Sequence, residues 1–332
     1  MKKYNAIIIG AGSIGALKDD KYDSPKTKNV LTIAHAMFKN KYLNLMAFID
    51  NDIDKAMKAS NKWCKPLCFA ATKIENVDDL SIDIVAVCTP TNTHNSVIKD
   101  VVKHIKPQII IAEKPFCGNK KEAAEIVKLC RKNNIVLVID YIRRYDTSLP
   151  IICSLMEDSD VYNVTVQYNR GFIHEACHAV DMMNYWFGDC RSVSVFSKYN
   201  IVDRDKNDPA AFICCEHEKT TVNYLPVDGR EYSIFEIQIM TSKGKILIAD
   251  HGKQILFYKT IPEPTYGSYK TLTQKPEIVK TELTTALSNM MDECVKILDG
   301  CSVEDWNICT GEDALRVHEV IDKYNKARGK KL

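Results

Sequence analysis

No stretch of the 332 residues reaches the ~18 consecutive apolar positions that a membrane span requires. Charge of one sign is scarce too. The 45 Lys and Arg are balanced by 43 Asp and Glu, for a net charge of +2, and no long run of either sign occurs. A nucleic acid or an anionic membrane surface therefore finds no electrostatic footprint. The 13 cysteines are odd in number and scattered, and neither Cys64-x3-Cys68 nor the adjacent Cys214 and Cys215 has the paired partners of a zinc site. No export signal is read, because the apolar run from Ala6 enters a glycine turn and no cleavage site comes after it. Together these absences predict reduced thiols in a cytoplasmic protein. Internal repeats and low-complexity tracts are missing as well, and the length suggests about two domains.

What the chain does contain begins with IIIGAGSIG at residues 7–15. Gly10, Gly12 and Gly15 have the G-x-G-x-x-G spacing of a dinucleotide turn, directly after a strand. Gly10 permits the tight turn, Gly12 a close approach of backbone to pyrophosphate, and Gly15 close packing of the next segment on the strand. Backbone N–H groups of the loop, through Ser13 and Ile14, would face phosphates. The next apolar run, YLNLMAFID, ends in Asp50, the position from which an acid takes adenine ribose hydroxyls. Asp50, Asn51 and Asp52 put negative charge where a 2′-phosphate would sit, which favours NAD over NADP. Asp50 stands 40 positions after Gly10, against about 20 in the usual fingerprint. The excess is a polar stretch from Lys18 to Asn29, read as an insertion before a first helix at about 30–40.

Strands at 4–9, 43–49, 82–88 and 108–114 alternate with helices near 53–63, 95–105 and 119–133, and a strand at 135–140 closes the series. The runs IDIVAVC and QIIIA are apolar throughout, as strands buried on both faces are. The expected fold is α/β: a Rossmann-type doubly wound parallel sheet over residues 1–143, and then an α+β domain over 144–332. In the second part, strand-like runs succeed one another from 191 to 258 without helices, predicting a mostly antiparallel sheet. A loop is expected from Pro262 to Pro276. Helices near 281–299 and 311–327 end the chain, and they could pack back on the first domain. The antiparallel sheet could leave one face for a partner, predicting a homodimer or homotetramer.

Two places carry titratable groups suited to chemistry. Lys114, between Glu113 and Pro115, ends a buried strand, at the edge where ligands of such sheets bind. Burial there would lower its pKa and make it a proton donor or relay; a surface lysine paired with Glu113 is the competing reading. The second place is His174-Glu175-Ala176-Cys177-His178. The string matches H-E-x-x-H, and on a helix the two histidines share one face, so a zinc hydrolase is one reading. A glycine-turn dinucleotide domain upstream argues against it. The alternative makes His178 an acid/base whose tautomer Asp181 holds. Phe172, Val180, Met183, Trp186 and Phe187 on that segment read as core. Tyr141, Arg143, Arg144, Tyr145, Tyr168 and Arg170 could serve an anionic substrate group or form interdomain salt bridges.

The glycine turn, the IVAVCTPTNTH loop, the AEKP strand end, and GFIHEACHAVD closing on Trp-Phe-Gly together resemble the Gfo/Idh/MocA oxidoreductase family, over essentially the whole chain. The resemblance implies NAD(P)-dependent oxidation or reduction at a carbinol carbon of a sugar, cyclitol or nucleotide sugar. It implies that Lys114 is the family's E-K-P lysine and His178 its catalytic-helix histidine. Thr89, Pro90, Asn92 and His94 match the loop that lies against the nicotinamide, and the Lys114–Pro115 bond is expected to be cis. Where many members carry an aspartate four residues before the histidine, this chain has His174, which could share the acid/base work. A non-catalytic cofactor-binding regulator of the same fold is the further alternative, and no metal is expected. The insertion at 18–29 could lie over the cofactor or line the substrate mouth.

Overall fold

The structure is a computed structural model that describes residues 3–63, 68–77, 80–201, 205–303 and 307–329. The chain divides into two compact units, Met1–Tyr145 with Thr284–Leu315, and Asp146–Leu283 with Arg316–Leu332. The junction expected at 143/144 thus falls between Tyr145 and Asp146, and residues 284–315 return to the first unit. No helix among the described residues is long and apolar enough to cross a membrane.

The first unit alternates strand and helix. In order come β1 (Tyr4–Ile9), α1 (Ile33–Lys39), β2 (Leu43–Ile49), α2 (Ile53–Trp63), β3 (Phe69–Ala71), β4 (Ile84–Val87), α3 (His94–His104), β5 (Ile109–Ala112), α4 (Lys120–Lys132) and β6 (Val136–Ile139). The six strands form one sheet in the order β3-β2-β1-β4-β5-β6, every pair parallel. Every residue of β4 and β5 is buried, so their apolar runs are explained by burial on both faces. Each such Ile or Val contributes about 1.5–3 kcal/mol. The strand order reverses between β1 and β4. A doubly wound sheet binds its ligand at the carboxyl edge there, where Gly10 and Cys88 stand.

The 18–29 insertion precedes the first helix, α1, as expected, and follows a hydrogen-bonded turn. Ala16 and Leu17 donate to the Gly12 carbonyl at 2.9 Å, making one helical turn. After the excursion, Ile33 donates to Ile14 O at 3.1 Å and Ala34 to Gly15 O at 2.9 Å. α1 therefore docks on the carbonyls that the glycine turn leaves open. Asp23, fully buried, pins the excursion: it accepts from Leu31 N at 3.0 Å, Thr32 Oγ1 at 2.7 Å and His35 Nδ1 at 2.7 Å. The His35 ring stacks on Trp63 at 4.9 Å, and burial lowers its pKa despite the pull of Asp23.

The second unit holds α5 (Leu149–Met156), β7 (Val161–Tyr168), α6 (Cys177–Phe187), β8 (Cys190–Ile201), β9 (Ala210–His217), β10 (Thr221–Pro226), β11 (Phe235–Thr241), β12 (Gly244–Ala249), β13 (Gln254–Pro262), β14 (Lys270–Leu272) and β15 (Glu277–Lys280). These nine strands make one sheet, antiparallel except where β7 meets β10. Buried and half-buried residues alternate strictly along β11, as in a sheet covered on one face. The stretch expected as loop from Pro262 to Pro276 carries β14, whose Thr271 pairs with Ile261 of β13. α7 (Ala286–Leu298) lies in the first unit, and α8 (Gly311–Ala327) begins in the first and ends in the second. Cys68 is disulfide-bonded, which corrects the expectation of uniformly reduced thiols; Cys64 lies outside the described residues.

Candidate active site

The glycine turn is shaped by close packing at two positions and openness at a third. Gly10 has φ +97°, and a Cβ on it would stand 2.6 Å from the Cys88 backbone. A Cβ on Gly15 would meet Gly10 O at 2.0 Å. Gly12 differs, since a Cβ there meets no protein atom within 4 Å. Only this middle glycine faces open space, which is where a phosphate has to approach the backbone.

That space is a cavity of about 970 Å³, formed entirely within the first unit. Gly10, Gly12, Ser13, Ile14, Asp50, Thr89, Pro90, His94, Glu113 and Lys114 line it. Of the expected cofactor residues, Gly15 and Asn92 are not among the lining residues, and neither is any residue of the 18–29 insertion. Asp50 Oδ2 accepts from Ala11 N at 2.8 Å, and Oδ1 accepts from Asp52 N at 3.0 Å. The acid thereby fastens the end of β2 to the glycine turn, and its remaining lone pairs can still accept from hydroxyls.

His94 borders the cavity but is fully buried. Its Nδ1 lies 3.0 Å from Phe116 O and its Nε2 2.6 Å from Thr89 O. Burial lowers its pKa against the pull of both carbonyls. The ring braces the Thr89 loop against the segment after β5. Thr93 Oγ1, 2.8 Å from Thr89 Oγ1, tightens the same loop.

At the end of β5 the Lys114–Pro115 bond is cis, as the resemblance implies. Next to Lys114 lies an acid that the sequence alone does not single out. Asp140 comes directly after β6, and its N–H donates to Ala112 O at 2.9 Å, which sets it beside Glu113 at the carboxyl edge. The Glu113 and Asp140 carboxyl groups lie within hydrogen-bonding reach of each other. Burial, then the charge of Asp140, drives the Glu113 pKa well above the usual carboxylate range; burial lifts Asp140 to about 6. Burial and these two carboxyls also push up the thiol of Cys88 at the end of β4. The available signal was register: two parallel strands each ending in an acid bring those acids together.

In the second unit the H-E-x-x-H segment is not a regular helix from its start. Phe172–Ala176 forms a π turn, with Ala176 N donating to Gly171 O at 3.2 Å, and α6 begins after it. The simple i, i+4 face expected for His174 and His178 assumes a 3.6-residue period, which a π turn breaks; such turns recur at functional sites. Asp208 caps the turn, accepting from Ile173 N at 2.9 Å and His174 N at 2.7 Å. A Cβ on Gly171 would lie 2.2 Å from the Asp208 carboxylate, so glycine is required for this cap. His174 is exposed, whereas His178 and Asp181 are buried. Among the described residues, no three His, Cys, Asp or Glu side chains converge as metal ligands.

Several candidates for anion binding are internal instead. Tyr168 is fully buried, and its hydroxyl donates to Ala211 O at 2.7 Å. The Tyr145 hydroxyl donates to Ile139 O at 3.1 Å, and buried Arg144 pairs with Asp313 at 3.7 Å. Tyr141 is buried as well. Arg143 and Arg170 stay half-exposed, the latter in left-handed backbone at φ +63°.

Residues 4–141 match the profile of an oxidoreductase family with an NAD-binding Rossmann fold, Gfo/Idh/MocA. "Uncharacterized oxidoreductase YrbE" of Bacillus subtilis (strain 168) is 29% identical over 155 residues, 46% of this chain and 40% of the relative. The chain thus spans less than half the length of that curated relative. In fold, UDP-N-acetylglucosamine 3-dehydrogenase GnnA from Acidithiobacillus ferrooxidans superposes with a TM-score of 0.71 at 16% identity, covering 98% of both chains. A super-repressor mutant of Gal80p from Saccharomyces cerevisiae gives 0.76 at 12% identity, covering 99% of this chain and 98% of that one. The glycine turn, the Asp50 clasp and the Lys114 edge all fall within residues 4–141, the segment that matches the NAD-binding Rossmann domain of the Gfo/Idh/MocA oxidoreductase family.

Proposed function

We propose that this chain is an NAD-dependent oxidoreductase that moves hydride between nicotinamide C4 and a carbinol or keto carbon of a sugar, cyclitol or nucleotide sugar. The observation that carries the reading is one cavity lined at once by the open glycine, Asp50 and Lys114. These residues fit a dinucleotide. Gly12 leaves room for a pyrophosphate, and Asp50 offers acceptors to ribose hydroxyls while opposing a 2′-phosphate. NAD is accordingly favoured over NADP. The bound nicotinamide supplies the hydride chemistry. Lys114 and His178 hold and move the proton of the reacting hydroxyl, Asp181 orients His178, and His174 shares contact with that hydroxyl. Thr89, Pro90 and the loop braced by His94 border the same cavity.

The fold is equally that of the Gal80p super-repressor mutant, so a non-catalytic regulator is the second reading; Lys114 and His178, both present here, favour the enzyme. The half-exposed face of the nine-stranded sheet supports a homodimer or homotetramer. Light scattering that gave a monomer at micromolar concentration would contradict that assembly. The activity is tested with NAD and a panel of polyols, cyclitols and nucleotide sugars, monitoring absorbance of the reduced cofactor. Turnover that Lys114→Ala abolishes supports the enzyme. Saturable cofactor binding with no turnover on any member of the panel favours the regulator.

A further inference from the structure

Two buried oxygen atoms at the carboxyl edge of the first sheet have acceptor character and no donor. Glu113 Oε1 and Asp140 Oδ1 are both shielded from solvent, and neither has a hydrogen-bond partner. Asp140 is only 6% exposed. The carboxyl groups themselves lie within hydrogen-bonding reach of each other. Two ionised carboxylates cannot rest in contact in a buried site, since each lone pair would face another and both charges would be desolvated. One proton placed between them removes both costs: it supplies the missing donor and leaves a single negative charge.

The groups that face the pair come from three elements. Cys88 stands at the end of β4, Lys114 comes after Glu113, and Tyr145 lies on the short turn after β6. Burial first, with both carboxylates adding to it, pushes the Cys88 thiol upward; burial first, then the neighbouring Cys309 and Cys294 and, least, Asp140, pushes the Tyr145 phenol upward, so both are neutral near pH 7. Arg144, on that same turn, is engaged with Asp313. Lys114 is the positive neighbour that draws both carboxyls back toward ionisation. One proton in the pair therefore matches one negative charge to one ammonium.

We propose that Glu113 and Asp140 share a single proton in the resting protein, and that this proton passes to bulk solvent when an oxidised, cationic nicotinamide binds at the Lys114 end of the cavity but is kept when the reduced, neutral ring binds. The second clause rests on the dinucleotide reading; the first does not. Asp140 is then a positioning residue. It sets the charge beside Lys114 to suit each redox state of the cofactor, because a cation close to a carboxyl pair favours its ionised form. The step is a proton transfer to water, with no other bond changed.

Two measurements on the full chain test this. In unliganded protein labelled with 13C at Asp and Glu carboxyls, one coupled pair of resonances should titrate about one pH unit or more above the ordinary carboxylate range. That signal should vanish in both Glu113→Gln and Asp140→Asn. If every carboxyl titrates in the ordinary range, the shared proton is refuted, whatever the protein binds. Calorimetry with NAD and NADH at pH 7, in buffers of different ionisation enthalpy, counts protons. Release with NAD, none with NADH, and loss of the difference in either variant is the expected result. Equal proton counts for the two cofactors in the native protein would overturn the coupling. Absence of any NADH binding would instead refute the dinucleotide reading and with it the coupling, leaving the titration to decide the pair.

Discussion

The Asp50 carboxylate accepts a 2.8 Å hydrogen bond from the backbone N–H of Ala11, in the middle of the glycine turn. A residue expected only to greet a ribose therefore also ties two strand ends together. Asp50→Ala should weaken NADH binding through both losses and narrow the difference between NADH and NADPH. The hydrogen bond to a charged group contributes about 1.5–3 kcal/mol, so NADH affinity should fall by at least tenfold. Comparative fluorescence titration reads this directly, and an unchanged NADH to NADPH ratio would show that Asp50 does not face the ribose.

Lys114→Ala and His178→Ala should leave NADH binding nearly intact and lower turnover by ~10²–10⁴-fold, the usual contribution of a positioned acid or base. His174→Ala separates two roles. If His174 touches the reacting hydroxyl, kcat and kcat/KM fall together; if it serves only the π turn that Asp208 caps, thermal stability falls and kinetics hold. Near-normal turnover in both Lys114→Ala and His178→Ala would refute the catalytic assignment.

The buried carboxyl pair also fixes a sign for stability against pH. Asp140 is raised from 3.8 to about 6, so between those values the folded chain binds more protons than the unfolded one. Stability then falls as pH rises through that window. Asp140→Asn removes this loss, for a relative gain on the order of 3 kcal/mol above the window and none below pH 4. Thermal melts of both proteins from pH 4 to pH 8 check it. A difference between them that does not change with pH would contradict a buried, raised carboxyl.

Much of this is legible in the sequence, and particular residues show why. Gly10 and Gly15 announce a turn because backbone conformation and close packing admit little else there, and Gly12 adds the open approach between them. The all-apolar β4 and β5 declare burial on both faces. Polar composition marks the 18–29 stretch as an insertion before the first helix but does not say how that helix is seated; only the bonds from Ile33 and Ala34 back to Ile14 and Gly15 reveal it docked on the glycine turn. Tyr168 and Arg144 look like anion ligands because a polar side chain's type is silent about its partner, here Ala211 O and Asp313. The π turn is hidden because H-E-x-x-H reads equally well at either helical period. Asp140 does not stand out because its meaning depends on Glu113, on a different strand.

The most direct test of the account is a titration of the purified chain with NADH and with NADPH, monitored by cofactor fluorescence. Saturable binding of NADH at one site per chain, at least about tenfold tighter than NADPH, is the predicted result. Tighter binding of NADPH would overturn the role given to Asp50, and no saturable binding of either cofactor would contradict the account at its centre.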